Sequence, residues 1–512
     1  MNLHETILCA TAPVSSSTGP GAISLHDIQT GSPLASFKQT SANPHCTTFV
    51  ESRDAQGGFI LAAQPDKSIL NVYNFQKDQI ALKMVLPEKL SCLSVDRRGD
   101  FCAGGTAQGR LYLWEVASGI LYKSWEAHYR QVSVLRFTED GAALLSGSED
   151  SSISVWPLAR LLDDEAQNEL PTPYCTLSDH TLPITDIICG VGPFPTCRVL
   201  TSSIDHSVKL WDLSSRTLLT TFQFPKPIYC IAWDVTERVF FAASPDSEGS
   251  IHQVNMFRRK ADHSAGGAIE AIGGAGVGDI VRVGDEDPKA LKKRLINVGQ
   301  PITTLCISFT TSLLLVGTST GVIHIYDIPS HQLLRTISSF KDKGLSITYL
   351  ASLLKPADLI GHVSLDIGGT RAGINAIPVK PVSSFQRMSD AKNRDSHEVS
   401  VLLPVHDTPS MEHPYNITSP EFIRDHAFFV QTPSTTATGG TSVSLQSRVT
   451  SLETEISELR EQLKKAKGVN DVMWETVVQK VIPLATGTEK KGAAPDEEDE
   501  AESDRRKKRG RV

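Results

Sequence analysis

A short alternating run returns seven times along this chain, and each time it leads to a single large or branched side chain. The copies are "GAISLHDI" with His26, "SILNVYNF" with Tyr73, "GRLYLWEV" with Trp114, "SSISVWPL" with Trp156, "HSVKLWDL" with Trp211, "GSIHQVNM" with Val254 and "GVIHIYDI" with Tyr326. Neighbouring copies lie 41 to 47 residues apart except where insertions intervene. Around them, apolar runs split by Gly, Asp or Ser fill the region from about residue 5 to 350. Alternation with a period of two, cut by turn residues, specifies strands and hairpins and not long helices.

A period of about 40 to 45 residues with a Trp-Asp ending is the signature of a four-stranded propeller blade. The sequence therefore predicts an all-β fold: a seven-bladed WD-repeat β-propeller, followed by an extended linker and a C-terminal coiled-coil helix. In the WD-repeat family a Trp on the third strand of a blade donates its indole N–H to a Ser or Thr on the second strand. That hydroxyl meets a His from the loop that begins the repeat, and the His meets an Asp in the turn between strands two and three. The chain resembles this family most closely in two successive repeats. One offers His128, Ser146, Asp150 and Trp156, the next His180, Thr201, Asp205 and Trp211. A buried polar chain of this kind stabilises only when every member finds a partner. The third repeat departs, because Gly104 and Gln108 stand where the hydroxyl and the acid belong. Trp114 and the weaker copies are expected to rely on apolar packing.

The first copy opens on what reads as a second strand, "ETILCATA", so its first strand is missing. "SITYLASLL" (346–354) follows the seventh copy and is expected to supply it, closing the ring and removing an exposed sheet edge. The expected organisation is a propeller over 1–360, with insertions at about 159–173 and 260–298, then an extended or disordered linker over 361–440. A coiled-coil and amphipathic helix region over 441–483 and an acidic then basic disordered tail over 484–512 complete it. The insertion "LARLLDDEAQNELPTP" reads as a short helix or lobe. "AGGAIEAIGGAGVGDIVRVGDEDPKALKKRL" reads as a Gly-rich mobile loop. Within the Pro/Ser/Thr-rich linker, the island "VKPVSSFQRM" is the candidate for docking against the propeller or a partner.

In "LQSRVTSLETEISELREQLKKA", Val449, Ile456 and Leu463 fall at heptad position a, and Leu445, Leu452, Leu459 and Ala466 at d. β-branched a positions with Leu at d favour a parallel two-stranded coil, so these residues are the expected dimer seam. The alternative is a single amphipathic helix packed on its own protein. "NDVMWETVVQKVI", with Trp474, is expected to form a second helix. Arg505, Arg506, Lys507, Lys508, Arg509 and Arg511 read as a nuclear-import patch or a non-specific RNA contact, against the plainer reading of a solvated tail.

Composition sets further bounds. A net charge of -8 over 512 residues does not suit a protein that coats nucleic acid with its whole surface. Nine cysteines are scattered singly with no CxxC pair, which argues against a zinc site or a disulfide framework and fits a reducing compartment. No transmembrane run or secretory signal is expected, so no membrane association is. "GTSTG" (317–321) matches a nucleophile pattern, but that motif needs a strand, a sharp turn and a helix, and here Ser319 falls between two strands. The glycines near 273–278 miss the dinucleotide fingerprint, since Asp279 takes the third position. No catalytic residue, metal ligand or cofactor site is expected.

Together, "TLPITDIICG", "RVLTSSIDHSVKLWD", "EGSIHQVNMF", "EAHYRQVSVLRFTEDGAALLSGSEDSSISVW", "VKPVSSFQRM" and "RVTSLETEISELREQL" resemble the WD-repeat subunits of the rixosome, the complex of pre-rRNA processing and large ribosomal subunit maturation. The resemblance implies a non-enzymatic scaffold that binds the complex's helical-repeat scaffold subunit and its other subunits. It further implies docking on the pre-large-subunit ribosomal particle, where a midasin-type AAA ATPase is recruited and spacer RNA removal is supported. A homodimer, a possible direct RNA contact and a location in the nucleus, nucleolus and nucleoplasm alike, go with it. The alternative is a WD-repeat scaffold in a chromatin or DNA-replication-licensing complex.

Overall fold

The computed structural model describes residues 4–14, 19–38, 40–53, 56–163, 169–259, 269–271, 279–284, 294–360, 378–388 and 442–476. The chain divides into two compact units, Met1–Val405 and His406–Val512. The first is a seven-bladed propeller.

Blade one is built from both ends of the propeller sequence: Leu345–Leu354 pairs with Glu5–Pro13, which pairs with Ile23–Asp27 and then Pro33–Phe37. Blades two, three and four begin with Thr47–Val50, Leu90–Val95 and Val132–Phe137, and blades five, six and seven with Ile184–Cys189, Cys230–Trp233 and Ile302–Ile307. These first strands pack beside one another around a central channel. The second and third strands of each blade lie between neighbouring blades, so both of their faces are covered. "SVKLWD" (Ser207–Asp212) and "ALLSGS" (Ala143–Ser148) are accordingly buried along almost their whole length. Fourth strands form the rim. Leu333–Ile337 is exposed at four of its five positions, and Ile80–Val85 alternates in and out. The core is therefore a ring of inter-blade layers, and large residues such as Trp114, Phe222 and Phe240 are fully buried within it.

The ring closes where expected. Leu345–Leu354 runs antiparallel to Glu5–Pro13, with Leu8 opposite Ala351 and Cys9 opposite Leu350. Thr6 Oγ1 donates to the Leu353 carbonyl at 3.1 Å, and Thr348 Oγ1 to that of Ala10 at 3.2 Å. Ile7, Ile347 and Leu350 join Leu315 and Ile323 of blade seven in one apolar cluster. This pairing occupies the edge of Glu5–Pro13 that would otherwise lie open.

Two expectations need correction. The segment read as a Gly-rich mobile loop contributes strands. Leu295–Asn297 is the fourth strand of blade six, and Asp279–Arg282 adds in parallel to the outer edge of blade five. Phe257–Arg259 also pairs with Ile269–Ala271. Short runs such as "DIVR" are too brief to show their pairing in sequence, and an unfilled sheet edge recruits them. Second, the C-terminal unit shows one continuous helix, Ser442–Thr476, where two were expected. Gly468 interrupts it by propensity alone, a cost of about 1 kcal/mol, and no proline falls inside it. The island at 378–388 does lie against the propeller, on blades two and three, with Val379 pairing with Gly57.

In that helix Leu452, Ile456, Leu459 and Leu463 are exposed. The side chains of Leu445 and Val449 lie outside the described residues, as do Arg505, Arg506, Lys507, Lys508, Arg509 and Arg511. The insertion at about 159–173 lies within blade four, between its third strand Ile153–Pro157 and its fourth, Cys175–Leu177, and begins as a short helix, Leu158–Leu162. No helix among the described residues is long and apolar enough to cross a membrane.

Candidate functional site

Blades four and five carry the same polar chain. Trp156 and Trp211 occupy equivalent positions on third strands, opposite Leu144 and Val199 of the second. In blade five the Trp211 indole donates to Thr201 Oγ1 at 2.9 Å. His180 Nε2 meets the same hydroxyl at 2.9 Å, and His180 Nδ1 meets Asp205 Oδ2 at 2.8 Å. In blade four Trp156 donates to Ser146 Oγ at 2.9 Å, His128 Nε2 lies 2.7 Å from it, and His128 Nδ1 lies 3.1 Å from Asp150 Oδ2.

Local sequence explains the geometry. Asp205 closes the turn by accepting from the Ser207 amide at 3.0 Å and the Ser207 hydroxyl at 2.6 Å, and it takes the Thr181 amide at 3.1 Å. Its own amide donates to Ser203 Oγ at 3.1 Å. Asp150 repeats the pattern with Ser152, Tyr129 and Ser148. His206 and Ser151, the residues after each Asp, take left-handed φ of 66°, a conformation for which short polar and His side chains are enriched. The serines flanking the acids were missed in the sequence reading. Their signal is an S-x-D-x-S pattern, "SEDSS" and "SIDHS", in which side chains bond the backbone two residues away.

Burial raises the Asp205 carboxyl, but the bond and charge of His180, with Ser207 and the Thr181 amide, outweigh it and hold the group well below the usual carboxylate range. Asp150 is held down in the same way by His128 and Ser152. On paper each set looks like a hydroxyl–imidazole–carboxylate triad. In the structure both hydroxyls are fully buried, each under an indole, so no substrate carbonyl can reach them. Their geometry suits mutual support and not nucleophilic attack.

Trp114 of blade three departs from expectation. Its indole is not left to apolar packing; it donates to the Gln386 carbonyl at 3.0 Å. Two of the weaker copies also use polar partners. Tyr73 donates to the Lys38 carbonyl at 3.2 Å, and His26 Nε2 lies 3.1 Å from Ser24 Oγ. Tyr326 and Val254 sit buried among apolar neighbours.

The central channel holds a cavity of about 290 Å³ lined by His45, Arg136, Asp186, Tyr229, Trp233 and Tyr349 among others. Its charges are committed to the scaffold. Arg136 Nε donates to the Ile187 carbonyl at 3.1 Å and its terminal nitrogen reaches Asp186 at 3.4 Å, while Asp186 takes the Ile231 amide at 3.3 Å. Burial pushes the Cys46, Cys189 and Cys306 thiols up to about 12, so thiolate is scarce at neutral pH. Among the described residues no group of three or more His, Cys, Asp or Glu side chains could hold a metal ion. Ser319 sits in the turn between Leu313–Thr318 and Ile323–Asp327, with its amide bonded to the Pro301 carbonyl at 3.0 Å, and no helix follows it.

Comparison with known proteins agrees with this picture. The family model "WD domain, G-beta repeat" matches residues 119–157 and 171–212, which span the two complete networks. "Pre-rRNA-processing protein IPI3" of Mycosarcoma maydis is 32% identical over 93% of this chain and 96% of its own length. The protein of the same name from Yarrowia lipolytica is 28% identical over 89% of this chain and 96% of its own. Human "WD repeat-containing protein 18" is 31% identical over 65% of this chain and 70% of its own. Among solved structures, the computationally designed Ika8 protein covers 64% of this chain and 86% of its own at 17% identity, with a TM-score of 0.41, too remote to bear on function. With the likeness to the Mycosarcoma maydis protein running through nearly all of both sequences, the chain belongs to the IPI3 family of pre-rRNA-processing WD-repeat proteins.

Proposed function

We propose that the chain is a non-catalytic scaffold of pre-rRNA processing and large ribosomal subunit maturation, acting in the nucleus. The observation that carries this reading is the 32% identity, over 93% of the chain, to a protein named for pre-rRNA processing. The structure supports the non-catalytic half. The candidate triads are buried beneath indoles, and the channel charges bond one another and the backbone. What remains available for function is surface: the loops on the two faces of the ring, the rim strands and the C-terminal helix.

On this reading the propeller binds the helical-repeat scaffold subunit and other subunits of the rixosome. The assembly docks on the pre-large-subunit particle, where a midasin-type ATPase is recruited and internal spacer RNA is removed. The exposed stripe of Leu452, Ile456, Leu459 and Leu463 recurs in alternating steps of four and three. A stripe of that kind is stable in water when a second helix covers it. Two propellers on one coil present every partner site twice, so a partner held once meets its second site at high effective concentration.

Deleting residues 445–466 tests both parts. The full chain is expected to scatter light as a dimer and the deletion variant as a particle of half that mass; an unchanged mass contradicts the coil. In cells depleted of the endogenous protein, the full chain is expected to restore spacer removal from pre-rRNA and the deletion variant to restore less. Normal processing after depletion alone contradicts the pre-rRNA role.

A further inference from the structure

Blades two and three hold an extended peptide in a groove, and that peptide is the chain's own residues 378–388. Backbone contacts run along it. The Gly57 amide donates to the Pro378 carbonyl at 2.8 Å, and the Lys380, Ser383 and Gln386 amides donate to the Gly57, Val116 and Gly119 carbonyls at 3.0, 3.0 and 2.8 Å. Three side chains are read. Phe385, buried to 4% exposure, stacks on Trp114 with ring centroids 5.2 Å apart and planes 13° from parallel, and Trp114 stacks on Tyr112 at 5.3 Å and 10°. Lys380 Nζ reaches Asp100 at 3.0 Å and also bonds the Arg98 carbonyl. Ser383 Oγ donates to the Ala117 carbonyl at 2.5 Å.

The groove is built by a local departure from the repeat. Gly104 stands where Ser146 and Thr201 receive the indoles of the next two blades. The Trp114 ring lies so near that a Cβ on Gly104 would be 3.1 Å from its Cζ3. With no hydroxyl at that second-strand position, the indole N–H turns to the Gln386 carbonyl. Gly119, with φ of +77°, admits the Ser384 carbonyl so closely that any side chain there would collide with it. Main-chain pairing supplies affinity and pockets for selected side chains supply specificity, the division of labour seen when sheets capture extended peptides.

We propose that blades two and three form a recognition groove for extended peptides of the pattern Lys-Pro-x-Ser-x-Phe-Gln, filled intramolecularly by residues 380–386. A tethered occupant works at an effective concentration that a free peptide must overcome. A free copy of the same sequence is therefore a poor ligand for the intact chain and a good one for a chain whose own segment is disabled.

The test uses the full chain and a fluorescently labelled synthetic peptide of residues 376–390. Phe385→Ala in the protein is expected to raise affinity for the peptide at least tenfold over wild type. A peptide with alanine in place of Phe385 is expected to bind neither protein. Gln386→Pro, which removes the amide bonded to Gly119 and leaves the core intact, gives the same reading if Phe385→Ala fails to fold. Hydrogen exchange gives the second readout: the Ser383 and Gln386 amides are expected to be protected in wild type and to lose that protection in either variant. Equal binding to wild type and variant, no binding to either variant, or unprotected amides in wild type would each overturn the proposal.

Discussion

Asp205→Ala is expected to lower the stability of the propeller by about 3 kcal/mol, read as a shift in the denaturation midpoint. The carboxylate accepts from the Thr181 and Ser207 amides and the Ser207 hydroxyl, and it pairs with His180. Alanine fills none of those roles. His180 is then free to tilt, and Thr201 and Trp211 lose the fixed partner that holds them. A surface substitution away from such a feature shifts stability by only about 0.5 kcal/mol, so a variant that unfolds like wild type would contradict the network's structural role.

The same site gives a pH dependence whose sign is fixed. The folded carboxyl of Asp205 lies below its ordinary value, held there mainly by His180 against the opposing effect of burial. A depressed acid contributes stability that is fully present above the unfolded value, about pH 4, and is lost as pH falls through the folded one. Wild type is therefore expected to lose stability on acidification below pH 4 more steeply than Asp205→Ala does.

A larger loss is expected at the seam of the ring. Ile347 is fully buried in the strand that joins the end of the propeller sequence to its beginning, packed with Ile7 and Leu350. Ile347→Asp places a carboxylate among apolar side chains with no cation in the cluster, and about 4 kcal/mol or more is the expected cost. The consequence is not only thermodynamic. Freeing this strand exposes the edge of Glu5–Pro13, and an open edge recruits other chains. The variant is expected to appear mainly in the insoluble fraction, with the remainder melting well below wild type. Soluble yield and melting like those of wild type would show that the closing strand is dispensable.

How far the sequence discloses this molecule depends on the separation of the partners. Trp156 and Ser146 lie ten positions apart in a repeated frame, and His128 and Asp150 recur at nearly the same offsets as His180 and Asp205, so a repeat pattern suffices to suggest them. The closing strand was legible for another reason: a repeat that begins on its second strand leaves a vacancy that one late apolar run can fill. Trp114 was opaque, because its acceptor Gln386 lies 272 positions away. Nothing near Trp114 in the sequence points there, although "VKPVSSFQRM" stood out as an apolar and basic island in a polar linker. Leu295–Asn297 was hidden because a strand of three residues carries too little alternation to register. The heptads of the C-terminal helix were plain in the sequence, but its passage through Gly468 was not, since helix propensity at one residue is a weak signal.

The most direct test of a scaffold in pre-rRNA processing is the identity of what the full chain holds in the cell. After tagging at its own locus, gentle purification and mass spectrometry, precursors of the large ribosomal subunit and spacer-containing pre-rRNA are expected to dominate the recovered material. Recovery of replication-licensing or histone-bound assemblies, with ribosomal precursors at background, would contradict it.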